Sequence, residues 1–391
     1  MPQITNRERL LRLFRGAPLD RIPVSPRIAS AFTREWFDDP DVDIVAGACE
    51  IYRHFGWEII DWNCTPHFEL FDFGGPDPTR PGSFRALQGP GWKPAVRYET
   101  SGSTTHEIVT VTTPGGQLRR VLSTCRLSRF EQECGLTEYA IKTERDFNLI
   151  CQYMPPVPPL DCGELIRSRA LLGDDGVLSP SFHGPFNLLV YCYRKLDDLM
   201  LDCRLNPDFF HAMMEFFLQR IMKYLQPMID TGTVDMFDMG MNVANSKLVS
   251  PKDWAELFLP YENRLADFVQ QRGVLPMMHQ CGHAANHLKV YHKLHHKMWG
   301  YLAPPPHGDT ILAEAVRILP KELILWGGVD QIDFLRQATP REIDARVQEV
   351  IQTVKSRGNF ILGTTDYLET HTPRENLQAF ADAGRKYGAY D

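Results

Sequence analysis

The chain has 391 residues, 43% hydrophobic and 23% charged, and a net charge of −7, the profile of a soluble globular protein with a substantial core. An acidic balance of this kind excludes a general nucleic-acid or anionic-membrane surface, because either partner needs clustered Lys and Arg. No stretch approaches the roughly 18 uninterrupted apolar residues of a membrane span, and the N-terminus has no apolar signal core, so a cytoplasmic location is expected. Nine cysteines, an odd number without a Cys-x-x-Cys pair, point to reduced thiols, most of them small core residues, with Cys281 set apart by its neighbours.

In chain order, an amphipathic helix is predicted over 7–14, capped by Asn6, with Leu10, Leu11 and Phe14 at helical spacing and Gly16-Ala-Pro18 as its stop. Residues 21–24 read as a first short strand, about 41–55 as a helix, and 57–62 as an apolar strand ending at Asn63-Cys64. From about 67 to 140 the texture changes: Gly74-Gly75-Pro76 and Gly89-Pro90-Gly91 favour turns. Alternation over 106–113 and 117–122 then flanks Pro114-Gly115-Gly116, a hairpin signature. This stretch is expected as an antiparallel insertion within a single domain spanning 1–391, because strand–helix alternation resumes straight after it.

Further strands are predicted at 176–180, 234–238, 274–278, 297–302, 323–326 and 359–362. Helices are predicted at 185–193, 207–228, 251–271, 284–294, 310–319, 341–357 and 373–387. So many β–α units favour a single (β/α)8 TIM barrel with an N-terminal helical extension, over a doubly wound sheet. No Gly-x-Gly-x-x-Gly follows a strand and no Walker motif occurs, which leaves dinucleotide and ATP binding without support. The run His295-His296-Lys297 reads as solvated surface.

Reactive residues of such a barrel sit just past the C-terminal ends of its strands. That rule selects Asn63, His183, Asp238 to Asn242, His279-Gln280-Cys281, Tyr301, Asp330 and Thr364-Thr365-Asp366. His279 and Cys281 are two apart after an apolar strand, so in an extended segment both point to one side and could reach one metal ion. Imidazole and thiolate suit zinc, and two ligands demand a third. Asp366, after the last strand, supplies a carboxylate that barrel closure would bring close. The bland alternatives are a buried histidine beside a core cysteine, and a capping or solvent-facing Asp366.

Several segments resemble the uroporphyrinogen decarboxylase superfamily. They are Asn6-Arg-Glu-Arg-Leu-Leu-Arg-Leu-Phe14 with Asp20-Arg-Ile-Pro-Val24, Gly184-Pro-Phe-Asn-Leu188 with Asn206-Pro207, and Leu248-Val-Ser-Pro251 with Pro260-Tyr261. His279-Gln-Cys-Gly282, Gly327-Gly-Val-Asp330 and Thr372-Pro-Arg-Glu-Asn376 complete the series, in order across nearly the whole chain. The resemblance implies a TIM barrel. Where the decarboxylases carry Met-Arg-Gln-Ala-Gly-Arg for porphyrinogen carboxylates, this chain has Pro23-Val-Ser-Pro-Arg-Ile-Ala29. Arg27 is left as the candidate carboxylate clamp, or else as a surface arginine.

The His-x-Cys pair and the hairpin at Thr113-Pro-Gly-Gly116 are similar instead to the corrinoid-dependent methyltransferases of that superfamily, where a His, a Cys and a C-terminal Cys bind zinc. Counting back from Thr372-Pro373, that last Cys falls on Asp366. The resemblance thus implies a zinc held by His279, Cys281 and Asp366, a harder Lewis acid better matched to oxygen. The expected function is transfer of a methyl group from a small, methoxylated aromatic substrate to the cob(I)alamin of a partner corrinoid protein. Methyl transfer from methylcobalamin to a thiol, and decarboxylation of a uroporphyrinogen-type polyacid, stay open as alternatives.

Asp238 and His183 are the candidate catalytic residues. Asp238 lies in the barrel mouth or orients His279, and His183 is a proton donor or a structural histidine. Asn63, Asn242 and Tyr301 are the candidates for binding substrate. The signature Asp-x-His-x-x-Gly of cobalamin carriers is absent, so the cobalamin is expected on the partner, and a homodimer stays open.

Overall fold

The apolar spacing at the start of the chain becomes a helix over Asn6–Phe14 that buries Leu10 and Leu13. Its cap is Thr5 rather than Asn6: Thr5 is extended (φ −69°, ψ 163°) and its side chain accepts the Glu8 N–H. Asn6 is already helical, and its side-chain oxygen accepts from Arg9 Nη1 at 2.9 Å. This geometry belongs to a computed structural model describing residues 4–65, 87 and 89–390. The expected turn Gly74-Gly75-Pro76 lies outside the described residues. The chain divides into two compact units, one of residues 1–65, 162–182 and 231–391, the other of 66–161 and 183–230.

Strands are numbered along the chain: β1 (Ile59–Asp61), β2 (Lys93–Ser101), β3 (Thr104–Thr113), β4 (Gly116–Arg126), β5 (Gln132–Glu138), β6 (Gly176–Leu178), β7 (Ser181–His183), β8 (Met236–Gly240), β9 (Leu275–Gly282), β10 (Met298–Leu302), β11 (Ile324–Val329) and β12 (Phe360–Thr364). In the first unit β8 to β12 are parallel neighbours in sequence order, and β7 adjoins β8. β1 and β6 form a parallel pair. Backbone bonds link these pieces, among them Asp235 N–H to Leu178 O (3.2 Å), Ser179 N–H to Asp61 O (2.8 Å), Glu58 N–H to Val24 O (3.0 Å) and Ser25 N–H to Leu362 O (2.8 Å). The strand expected at 21–24 is present as isolated bridges at Arg21 and Val24, the latter parallel to Leu362.

Nearly continuous apolar strands are the mark of a parallel sheet covered on both faces. One row of side chains, among them Ile60, Val177, Met236, Met277, Met298, Trp326 and Ile361, meets in a single core closed by Leu10 and Leu13. Met277 is fully buried there, so Met277→Ala costs about 2–5 kcal/mol.

Helices flank the strands much as their periodicity predicts. Pro340–Val354 opens on a capping box of Thr339 and Glu342, and Arg374–Gly388 follows Thr372-Pro373. Two expectations fail. A helix over Ser30–Phe37 has no sequence counterpart, because Asp38 rather than glycine takes the left-handed closing position (φ 54°). Residues 284–294 form only a 3-10 helix over His287–Lys293, broken by a kink at Val290, whose backbone is not helical (φ −116°, ψ 17°). None of the nine cysteines is in a disulfide, and only Cys49, Cys64 and Cys203 are buried, so most are not core residues.

In the second unit the expected hairpin is the centre of a four-stranded antiparallel sheet, in the order β2-β3-β4-β5. Thr113 pairs with Gly116 across the turn, and the Thr113 hydroxyl donates to Gly116 O at 2.8 Å. The outer strands escaped notice because β2 and β5 are mostly exposed and polar, without a buried alternate row. The long helix Pro207–Asp230 buries Phe210, Met214, Phe217, Ile221 and Leu225. No helix among the described residues is long and apolar enough to cross a membrane.

Candidate metal centre

The period-two rule that places Met277 in the core continues up β9. Leu275 and Met277 belong to the apolar core and Cys281 packs against it, with His279 on the same row. The strand thus changes from apolar to metal-ligating chemistry at its C-terminal end. Asp366, past the end of β12, joins them: one ligand atom from each of His279, Cys281 and Asp366 lies within 4.8 Å of the others. His279 Nε2 faces Asp366 Oδ2 at 3.9 Å.

The other nitrogen of His279 is contested. Nδ1 lies 3.1 Å from Oδ1 of Asp238, in the middle of β8, and 2.7 Å from Arg27 Nη1. One ring nitrogen serves one of them at a time: protonated it donates to Asp238, unprotonated it accepts from Arg27. Burial, the largest influence, disfavours a charged ring, as does Arg27, but the Asp238 carboxylate and its hydrogen bond, together with Cys281, lift His279 to about 10. Nδ1–H therefore belongs to Asp238, which leaves Nε2 towards Cys281 and Asp366.

Arg27 is not a surface residue: it is 4% exposed. Its Nη2 pairs with Asp238 Oδ2 at 2.9 Å, its Nη1 reaches Asp366 Oδ1 at 3.5 Å, and its Nε is buried without a partner. The guanidinium lies over the Trp62 ring (4.3 Å) and the Tyr301 ring (5.0 Å). Its backbone N–H donates to Thr364 Oγ1 at 3.1 Å, which anchors residue 27 beside β12.

Two features position the site without any clear sequence signal. Gln331 Oε1 accepts from Thr365 N (3.0 Å), Thr365 Oγ1 (2.9 Å) and Asp366 N (3.2 Å), which fixes the turn bearing Asp366. Tyr301 sits in a bulge of β10, where pairing with both neighbours skips from Gly300 to Leu302 and φ is +67°. A left-handed non-glycine residue costs on the order of 1–3 kcal/mol. Here the bulge turns the ring onto His279 (4.6 Å) and Trp326 (4.8 Å).

The donor set fits a divalent cation. Imidazole, thiol and carboxylate are donor types that zinc takes, and the Asp238 carboxylate stands behind the imidazole. Tetrahedral zinc holds N, S and O donors roughly 3.3–3.7 Å apart, a spacing that small rotations of the partly exposed Cys281 and Asp366 would reach.

The remaining candidates are placed as follows. Asn63 is buried, and its Nδ2 donates to Ile28 O and Asp61 Oδ1, both at 3.2 Å. Asn242 is half-buried just after β8. His183 is exposed in the second unit, its ring against Tyr191. Asp330 caps the turn Gln331–Leu335 by accepting from Asp333 N and Phe334 N. His296, expected on the surface, is 3% exposed.

The family model described as uroporphyrinogen decarboxylase (URO-D) matches residues 160–387, more than half of the chain. A uroporphyrinogen decarboxylase of Synechococcus sp. (strain CC9605) is 26% identical over 57% of this chain and 62% of its own length. A methylcobamide:CoM methyltransferase, MtbA, of Methanosarcina mazei is 20% identical over 66% of this chain and 73% of its own. The chain thus spans about half to three fifths of the length of the curated decarboxylases it matches. In fold it is similar to a solved methyltransferase from Methanosarcina mazei, with a TM-score of 0.69 over 98% of this chain and 99% of that one, at 13% identity.

Proposed function

The chain belongs to the uroporphyrinogen decarboxylase family, and from that premise we propose that it is a methyltransferase of the corrinoid-dependent branch, moving a methyl group from a small methoxylated, aromatic substrate to the cob(I)alamin of a partner protein. The observation that carries this reading is the convergence of His279 and Cys281, at the C-terminal end of β9, with Asp366 just past β12. These three side chains would hold zinc, whose chemistry there is Lewis acidity at the oxygen of the methyl donor. Asp238 takes the Nδ1–H of His279 and so aims Nε2 at the metal, the usual company of a ligating histidine. Gln331 holds the Asp366 turn, and Tyr301 and Trp62 wall the site with rings.

We take the first unit to be a closed (β/α)8 barrel. The backbone bonds through Val24, Glu58, Ser179 and Asp235 support this, because they join the strand pieces edge to edge. The partner then docks over the strand C-termini, since its corrin must come within bonding distance of a substrate at the metal. Decarboxylation of a polycarboxylate is disfavoured: it calls for several cationic groups, and this centre sets Arg27 against Asp238, Asp366 and Cys281. Transfer to a thiol is the reading favoured by the name of the Methanosarcina relative.

Zinc analysis and methyl transfer from a panel of methoxyarenes to cob(I)alamin test the proposal, with coenzyme M as a competing acceptor. The expected result is stoichiometric zinc and ether-dependent transfer that disappears in Cys281→Ala and Asp366→Ala. A zinc-free chain, or transfer intact in both variants, sinks it. Preference for coenzyme M moves the reading to the thiol reaction.

A further inference from the structure

We propose that Arg27 is a catalytic residue of this centre, the donor that receives the negative charge of the departing oxygen, and that it thereby confines the enzyme to methyl donors that leave as oxyanions. This rests on the methyltransferase reading above and names the substrate class of that site. The guanidinium is held by Asp238 at Nη2 (2.9 Å) and lies against the Trp62 and Tyr301 rings, so it stays in place through the reaction. Its Nη1 stands 3.4 Å from His279 Nε2 and 3.5 Å from Asp366 Oδ1. A group bound beside those two ligands therefore lies next to it.

Its Nε has no acceptor, and Nη1, once His279 Nδ1 donates to Asp238, is left with the long contact to Asp366 Oδ1 (3.5 Å). A buried cation with unused N–H groups binds an oxyanion strongly. As the methyl C–O bond breaks, both electrons stay on oxygen and the carbon bonds to the Co(I) of the partner's corrinoid. Arg27 stabilises that oxygen anion until it takes a proton from water on release. A quaternary ammonium donor leaves as a neutral amine and approaches as a cation, so the same guanidinium repels it.

The test uses the zinc-loaded intact chain with Arg27→Met and Arg27→Lys. The first readout needs no turnover: titration of bound 4-nitrophenol, whose ionised form absorbs separately. Wild type is expected to bind it as the phenolate with a lowered pKa, Arg27→Met to lose that shift, and Arg27→Lys to keep part of it. The second is methyl transfer from ring-substituted anisoles, where Arg27→Met is expected to be about 10²–10³-fold slower, most strongly for poor leaving groups. Wild type is expected to reject tetramethylammonium. An unchanged nitrophenol pKa in both variants, or equal use of tetramethylammonium and anisoles by wild type, overturns the role of Arg27 while leaving ether demethylation standing. If Arg27→Met fails to fold, the lysine variant and the wild-type donor preference still decide the question. A wild type that transfers methyl from no ether fails the functional reading itself.

Discussion

Two buried arginines of the first unit keep different company, and the contrast separates a group that holds the fold from one that serves a site. Arg9, 3% exposed, pairs with Asp20 (2.7 Å) and with Glu58 (2.8 Å), and Glu58 also accepts from Arg21 and from the Val24 N–H. That cluster has two guanidinium groups against two carboxylates and sits where β1 begins. Arg27 faces Asp238 and Asp366 beside Cys281 towards the C-terminal ends of β8, β9 and β12, with one nitrogen without a partner and with Asp366 and Cys281 half-open to solvent. A cluster whose charges match, with Glu58 fully buried among them, has none left for a ligand. A partly open one with an unpartnered N–H beside metal-type donors has places for one.

The contrast breaks most directly at Glu58. Glu58→Ala leaves Arg9 and Arg21 without their buried counter-charge and is expected to cost about 3–5 kcal/mol in urea unfolding, while zinc per folded chain stays at the wild-type value. A variant as stable as wild type refutes the structural role. Cys281→Ala and Asp366→Ala should behave in the opposite way: zinc affinity falls by about 100-fold or more, read by competition with a chelating dye, and unfolding of the zinc-free chain shifts by no more than about 1 kcal/mol. Equal zinc affinity in either variant removes that residue from the ligand set. Asp238→Asn keeps the shape but weakens the grip on His279 Nδ1, and a 10–100-fold drop in zinc affinity is expected.

His296 sharpens the contrast from a third side, as a buried titratable group with no hydrogen bond at either ring nitrogen. Burial, aided by the neighbouring His295, pushes it down to about 3. The unfolded chain takes up a proton below an ordinary value near 6.5 and the folded chain does not, so stability falls as pH drops from about 6.5 to about 3, by about 1.4 kcal/mol per unit. His296→Phe should flatten that limb in urea midpoints taken at pH 7, 6 and 5; an unchanged slope assigns the acid sensitivity elsewhere. The smallest effect is expected at the first cap, where Thr5→Ala removes the bond to Glu8 N–H and lowers stability by about 1 kcal/mol, measurable by thermal unfolding.

Local periodicity made part of this molecule legible from its residues alone. The β–α alternation, the hairpin about Pro114-Gly115-Gly116 and the shared side of His279 and Cys281 depend on neighbours two to four residues apart, and the chain carries those patterns wherever it folds. Asp366 was reachable only through its register to Thr372-Pro373, since nothing local tells a ligand from a cap. Tertiary structure decided the rest. Arg27 is 252 residues from His279, and its burial is set by Trp62, Tyr301 and Asp238 from other strand ends. The left-handed Tyr301 is imposed by the two strands that pair around it, and His296 lies buried within a run that looks like surface. Burial and the sum of nearby charges are properties of the packed chain, so they became readable only once distant strands met.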